Sequence, residues 1–205
     1  MNAMTTSSIS SVASVAEEDL LRAQLYRMLS HFLGNPPSQK DIDNLAAMSG
    51  DESPLGEAIA SLAKIAGKTD VVLVAQEYQD LFIGVGRGEL LPFASYYLTG
   101  FLHEKPLALL RKDMERLGIA RRAEVKIPED HIAAVFEMMS GMIEGKYGTI
   151  YDLDEQREFF NKHIGSWAKH FMSDLEGAKA SILYAAVGTI GRIFLDIEEI
   201  AFTMD

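Results

Sequence analysis

The residues that most suggest chemistry are an acidic pair and a histidine, placed where an apolar helix is predicted to begin. Glu129, Asp130 and His131 follow Pro128 in the stretch KIPEDHIAAVFEMMSGMI, whose later apolar residues recur at helical spacing. The carboxylates can accept forked hydrogen bonds from a guanidinium, and the histidine can donate to a ligand or orient it. Acids also favour the positive end of a helix dipole, so plain helix capping with a half-buried histidine is the alternative interpretation.

Helical periodicity predicts where these side chains point. If Ile132, Val135 and Phe136 belong to the buried stripe of the helix, His131 falls at the edge of that stripe and Asp130 points away from it. We therefore expect Asp130 to be accessible to a cation, and we expect the fold to tolerate asparagine or lysine in its place.

Other kinds of site find little support in the sequence. The chain contains no cysteine, which excludes disulfides, thiolate metal sites and cysteine nucleophiles. His163 and His170 are seven residues apart on one predicted helix, too far for a shared zinc ion. No serine lies in a nucleophile-elbow pattern, and the glycine-rich segment 84–88 lacks the ending of a phosphate loop. We predict no enzymatic activity, no metal and no resident cofactor.

The composition indicates a globular protein with an acidic surface. The 205 residues include 19 basic and 30 acidic side chains, for a net charge of -11. This charge opposes binding to nucleic acid and favours cationic partners such as arginine-rich peptides, although it also simply aids solubility. No secretory signal is recognisable at the start of the chain, and Arg192 and Asp196 interrupt the most apolar late segment. We expect a cytoplasmic protein without stable membrane insertion.

Helix signals recur along the chain and predict an all-α fold of about nine helices in two lobes. The segment VVLVA at 71–75 resembles a strand, but Asp70 is a good N-cap and the spacing of later apolar residues favours a helix over 70–82. Segment 152–175 is predicted as one helix. A hinge between lobes permits either a monomer or a domain-swapped dimer. The predicted parts are a flexible tail (1–16), an N-terminal lobe (17–118), a hinge (119–127) and a C-terminal lobe (128–205).

Five motifs in order resemble those of the TorD/DmsD family of chaperones for molybdenum redox enzymes. The stretch LLRAQLYRMLSHFLGNPP is similar to the first helix of the family, and EYQDLFIG is similar to its Leu-Phe-x-Gly element. The stretches LPFASYYLTG, PEDHIA and FFNKHIGSWAKHF resemble its tyrosine-containing loop, its hinge motif and a later helix.

The resemblance implies a non-catalytic chaperone with two protein partners. These are the twin-arginine signal peptide, here called the leader, and the apo form of a molybdoenzyme catalytic subunit, which the chaperone would hold until the cofactor is inserted and export is permitted. Asp130 would accept hydrogen bonds from the arginines of the leader, and an apolar groove would take its apolar run. The predicted leader site consists of Tyr26, Leu81, Phe82, Pro92, Ser95, Tyr97, Glu129, Asp130 and His131.

Two alternatives stay open. Relatives have been suspected of weak guanine-nucleotide binding, which would make the chain a nucleotide-dependent assembly factor, although it lacks a phosphate loop. A non-catalytic helical interaction module would instead have no affinity for a leader.

Overall fold

The fold is all-α, as predicted. The structure, a computed structural model, describes residues 15–121 and 125–204, and these ranges contain ten α-helices, a π-helical turn and no strand. The predicted tail, apart from its last two residues, and the middle of the predicted hinge lie outside the described residues. The elements are α1 Glu17–Gly34, α2 Gln39–Ala46, α3 Pro54–Ala66, α4 Val71–Tyr78, the π-helical turn Gln79–Ile83, α5 Ala94–Thr99, α6 Lys105–Arg116, α7 Ile132–Glu144, α8 Leu153–His163, α9 Ala168–Gly177 and α10 Leu183–Met204.

Short polar side chains set several helix starts. Ser38 and Asp41 form a capping box at α2, and Ser53 and Asp70 accept hydrogen bonds from backbone N–H groups at the starts of α3 and α4. Such caps satisfy N–H groups that have no partner within the helix. The segment 71–75 is therefore helical, as predicted.

The prediction of one helix over 152–175 is wrong, because α8 ends at His163 and α9 begins at Ala168. The N–H of Gly165 donates to the carbonyl oxygen of Phe160 at 2.7 Å, five residues back instead of four. A Cβ at Gly165 would lie 2.9 Å from the Phe160 ring, so only glycine fits this close approach. The indole Nε1 of Trp167 donates to the carbonyl oxygen of His163 at 2.8 Å, which satisfies a carbonyl group freed by the break.

The helices pack around one continuous apolar core, in which α1 lies against α7, and α10 lies against α3 and α9. The ring of Tyr26 makes edge contacts with Phe136 and Phe194, with centroid distances of 5.5 and 4.7 Å. This packing joins helices from both sides of the predicted hinge, while the division into two lobes stays a prediction.

A buried carboxylate fixes the start of α10. Both oxygens of Glu77 on α4 accept backbone hydrogen bonds, from the N–H groups of Ile182 at 2.7 Å, Leu183 at 3.2 Å and Tyr184 at 2.7 Å. These N–H groups lie in the first turn of α10 or just before it, where they have no acceptor within the helix. Glu77 therefore anchors α10 to α4 across more than a hundred residues of sequence.

Candidate functional site

Two motifs that are distant in sequence meet at the start of α7. The N–H of Ala94 donates to the carbonyl oxygen of Asp130 at 2.9 Å, and the N–H of Ile132 donates to that of Pro92 at 2.8 Å. The N–H of Ser95 donates to Asp130 Oδ2 at 2.8 Å. The structure therefore brings together the predicted site residues at 92–95 and 129–131.

Asp130 is buried, and the prediction that it points away from the core is wrong. Its exposed fraction is 1%, and Oδ1 has no hydrogen-bond partner among the described residues. Helical spacing does not apply to Asp130, because α7 begins at Ile132 instead of near 128 and His131 is its N-cap. Asp130 lies in a turn closed by a hydrogen bond from the His131 N–H to the Pro128 carbonyl oxygen at 3.2 Å.

His131 is a buried helix cap. Its Nδ1 accepts a hydrogen bond from the N–H of Ala133 at 3.1 Å, and its ring packs edge-on against Phe93 with centroids 5.0 Å apart. Burial lowers its pKa from 6.5 to about 4, so the imidazole is neutral near pH 7. Because Nδ1 accepts, the proton of the neutral ring is on Nε2, and His131 can offer a ligand a hydrogen-bond donor but no charge.

The lowered pKa of His131 predicts a specific loss of stability in acid. The unfolded chain binds the proton near pH 6.5 and the folded chain only near pH 4, so stability is complete above pH 6.5 and falls between these values. The loss is roughly 2 kcal/mol at pH 5. In His131→Asn, which keeps a capping side chain, this component should disappear.

Urea denaturation of both proteins at pH 7 and pH 5 measures the effect. His163, whose pKa burial also lowers, is common to both proteins, so the difference between them reports on position 131. Equal losses of unfolding free energy in the two proteins would show that His131 does not titrate in this way.

Glu129 holds two guanidiniums from its own chain. Its Oε2 accepts hydrogen bonds from Arg111 Nε at 3.0 Å and Nη2 at 2.8 Å, and its Oε1 lies 3.3 Å from Arg121 Nε. Burial would raise the pKa of Glu129, but the hydrogen bonds from Arg111 and the charges of both arginines lower it below its usual value. The carboxylate is therefore ionised at neutral pH and arranged to accept guanidinium donors.

Two adjacent cavities flank the segment 125–128. The smaller, here called the hinge pocket, has a volume of about 130 Å³ and is lined by Glu129, Arg121 and Glu137 together with apolar residues that include Met114, Ile119, Val125, Ile127 and Met138. The larger has a volume of about 570 Å³, has a more polar lining that includes His131, and shares Val125, Ile127, Ala134 and Glu137 with the hinge pocket. A carboxylate beside an apolar cavity suits a ligand that carries both a cation and an apolar side chain.

The other predicted site residues lie in the core. Tyr26 and Leu81 are fully buried, and the hydroxyl of Tyr26 donates to Glu198 Oε2 at 2.9 Å. The ring of Phe82 packs edge-on against Tyr78 and Tyr184. These three predicted residues therefore belong to the packed core and present little surface to a ligand.

Tyr97 lies between the loop and the core. Its hydroxyl donates to Asp174 Oδ2 at 2.8 Å, and its ring contacts Trp167 with centroids 5.5 Å apart. Tyr97 therefore fixes α5 against α9, and through α5 it fixes the loop that holds Asp130.

The sequence prediction missed the two arginines on Glu129. Arg121 lies in the basic stretch IARRAEVK immediately before the acidic motif, and this proximity was the available signal. Arg111 is 18 residues from Glu129 on the preceding helix, and nothing in its local sequence marks it.

The described residues offer neither a membrane span nor a metal centre. None of their helices combines the length and apolar character needed to cross a bilayer. They also contain no group of three or more His, Asp or Glu side chains that could hold a metal ion.

Comparison with known proteins identifies the family. A family model described as the nitrate reductase delta subunit matches residues 49–173, more than half of the chain. The chain belongs to this family. Among its relatives is the chaperone protein TorD of Aliivibrio fischeri. The two proteins are 25% identical over an alignment that covers 86% of this chain and 92% of TorD. TorD of Photobacterium profundum is 36% identical over 48% of this chain and 49% of its own.

A solved structure shares the fold of this chain. A protein described as a redox enzyme maturation protein from Archaeoglobus fulgidus has the same fold, with a TM-score of 0.57 and 19% identity. The superposition covers 91% of this chain and 99% of the solved chain. The TorD/DmsD resemblance is thus confirmed, and the named relatives are chaperones, in agreement with the prediction that the chain is not an enzyme.

Proposed function

We propose that this chaperone of redox-enzyme maturation binds the twin-arginine leader of an immature molybdenum-containing oxidoreductase at the hinge pocket. Glu129 reads the guanidinium groups, and the apolar lining of the pocket takes an apolar side chain that follows them. The observation that carries the proposal is the pairing of Glu129 with two guanidiniums beside an apolar cavity. The family assignment supports it.

The chemistry of arginine favours this assignment over a general cation site. Glu129 is 7% exposed, so its contacts are partly shielded from water and are stronger than those of an exposed carboxylate. A guanidinium offers several donors in a fixed plane, whereas the ammonium of lysine is a strongly hydrated point charge. A buried carboxylate that already accepts guanidinium donors should therefore discriminate arginine from lysine.

Asp130 has a supporting role in this proposal. It holds residues 92–95, which include the start of α5, against the start of α7 and thereby fixes the turn that carries Glu129. Its Oδ1 has no partner among the described residues, so a rearrangement that opens the turn would expose a further acceptor for the leader. The predicted contact between Asp130 and the leader stays a prediction.

Charge assists the encounter. The net charge of -11 attracts a basic leader from a distance, and this attraction weakens as salt is added. Val125 and Ile127 are partly exposed beside the hinge pocket and extend its apolar surface. The overall charge thus favours the encounter, and the apolar contact at the pocket follows.

The apo form of the catalytic subunit is the second proposed partner, since the leader is part of the same polypeptide. We propose that the chaperone acts in the cytoplasm, before export, and releases the leader once the molybdenum cofactor has entered the client. The oligomeric state and weak guanine-nucleotide binding stay predictions.

Titration of a labelled peptide tests the proposal. The peptide carries two consecutive arginines followed by an apolar run, and its control carries two lysines in their place. We expect the arginine peptide to bind about tenfold more tightly, which corresponds to one lost charge-assisted hydrogen bond. Absence of binding by either peptide would contradict the proposal and favour a helical interaction module that does not recognise leaders.

A further inference from the structure

The two arginines on Glu129 differ in how firmly they are held. Arg111 directs two nitrogens to Oε2 at 2.8 and 3.0 Å, whereas Arg121 makes one longer contact of 3.3 Å to Oε1. Their side chains are 51% and 42% exposed, while that of Glu129 is only 8% exposed. The guanidiniums therefore cover the carboxylate from the solvent side, where a peptide would approach.

Arg121 is placed as a peptide arginine would be. Its Nη2 donates to the carbonyl oxygen of Val125 at 2.8 Å, and both residues line the hinge pocket. In the sequence, Arg121 is the first of two consecutive arginines, and the apolar Val125 follows them. An arginine of this chain thus occupies the carboxylate that a leader needs, and an apolar residue that follows it lines the pocket.

We propose that Arg121 is an internal competitor of the leader. Its guanidinium contacts one oxygen of Glu129. The first arginine of the leader displaces the Arg121 guanidinium and binds this oxygen in its place. Arg111 keeps its contact with the other oxygen and fixes the carboxylate. The inference rests on the proposed function and adds that the free protein holds its own arginine in the leader site.

The energetics allow the exchange. A long ion pair with a half-exposed arginine contributes little to stability, because water and salt screen it. The displaced guanidinium returns to solvent with a small loss, and the leader adds apolar contacts that a single arginine does not make. An arginine that only braced the hinge would have the opposite effect, since removing it would loosen the site and weaken binding.

The test compares three variants that each remove one positive charge. Arg121→Gln removes the proposed competitor, and Arg111→Gln removes the residue that fixes the carboxylate. Arg116→Gln is the matched control, because Arg116 pairs with Asp113 and Glu158 and not with Glu129. The probe is the labelled peptide with two arginines and an apolar run, titrated at constant salt.

We expect Arg121→Gln to bind the peptide about two- to fivefold more tightly than wild type, the factor that corresponds to one exposed ion pair. Arg116→Gln should bind like wild type, which shows that the gain is not a general effect of charge. Arg111→Gln should not reproduce the gain. In a Glu129→Gln background, the Arg121→Gln gain should vanish, because no carboxylate is left to compete for.

The outcomes separate this inference from the proposed function. If wild type binds and Arg121→Gln binds equally or more weakly, the competitor is disproved while leader binding stands. An equal gain in Arg116→Gln also disproves it. If wild type does not bind but Arg121→Gln does, the proposed function fails for the wild-type protein and the inference, which rests on it, fails too. If neither binds, the proposed function fails and the inference fails with it.

Discussion

Replacing Asp130 with lysine should unfold the protein or nearly so, whereas asparagine should leave it folded. The side chain is 1% exposed, and its Oδ2 accepts the Ser95 N–H. Lysine would bury an ammonium without a counterion and remove this acceptor, a combination that costs about 4 kcal/mol or more. Asparagine keeps an oxygen for Ser95 and places its amide nitrogen where Oδ1 has no partner, so its cost should be about 1 kcal/mol.

Urea denaturation followed by circular dichroism measures both variants. Asp43→Lys is the matched control, since Asp43 is exposed on α2 and its side chain hydrogen-bonds only to Gln39 among the described residues. The control should unfold close to the wild-type midpoint. An Asp130→Lys variant that is as stable as the Asp43→Lys control would show that Asp130 faces solvent.

Glu129→Gln should weaken binding of the arginine peptide by about tenfold or more. The substitution keeps the size and one acceptor oxygen but removes the charge, and a hydrogen bond to a charged group contributes roughly 1.5–3 kcal/mol. The fold should be retained, because glutamine keeps an acceptor oxygen at this position and both arginine partners of Glu129 reach solvent.

The pH below which leader binding is lost should depend on the protonation of Glu129. The pKa of Glu129 lies below its usual value, so the carboxylate stays ionised to a lower pH than an ordinary glutamate does. Leader binding should therefore weaken at a lower pH than the usual glutamate pKa. A melting curve of Glu129→Gln that matches wild type, together with unchanged peptide affinity, would exclude Glu129 as the reader of the leader.

Local signals in the sequence predict much of the fold. Ser38, Ser53 and Asp70 are caps whose partners lie within three residues, so their role is visible without a structure. The helix that begins with VVLVA follows from one such cap. The all-α class follows from apolar spacing repeated along the chain.

Features that depend on contacts between residues distant in the chain could not be predicted from the sequence. Asp130 is buried because Ser95, 35 residues away, donates to it. Glu77 anchors the start of α10 more than a hundred positions later. Each is a tertiary contact that overrides a local pattern.

The candidate site, like the fold, could be predicted only in part. The family resemblance pointed to the acidic motif at the start of α7, and the motif does meet the 92–95 loop. The start of α7 determines which acid of the motif contacts a cation. Because His131 is the N-cap of α7, Glu129, and not Asp130, pairs with guanidinium groups. Arg111 could not be assigned because its partner lies on another element.

The most direct test of the central claim is a thermodynamic cycle of two proteins and two peptides. Wild type and Glu129→Gln are each titrated with the twin-arginine peptide and its twin-lysine counterpart, and the cycle isolates the coupling between position 129 and the arginines. We predict that wild type prefers arginine by about tenfold and that Glu129→Gln loses most of this preference. An equal preference in both proteins would show that the leader arginines are read elsewhere and would contradict the account.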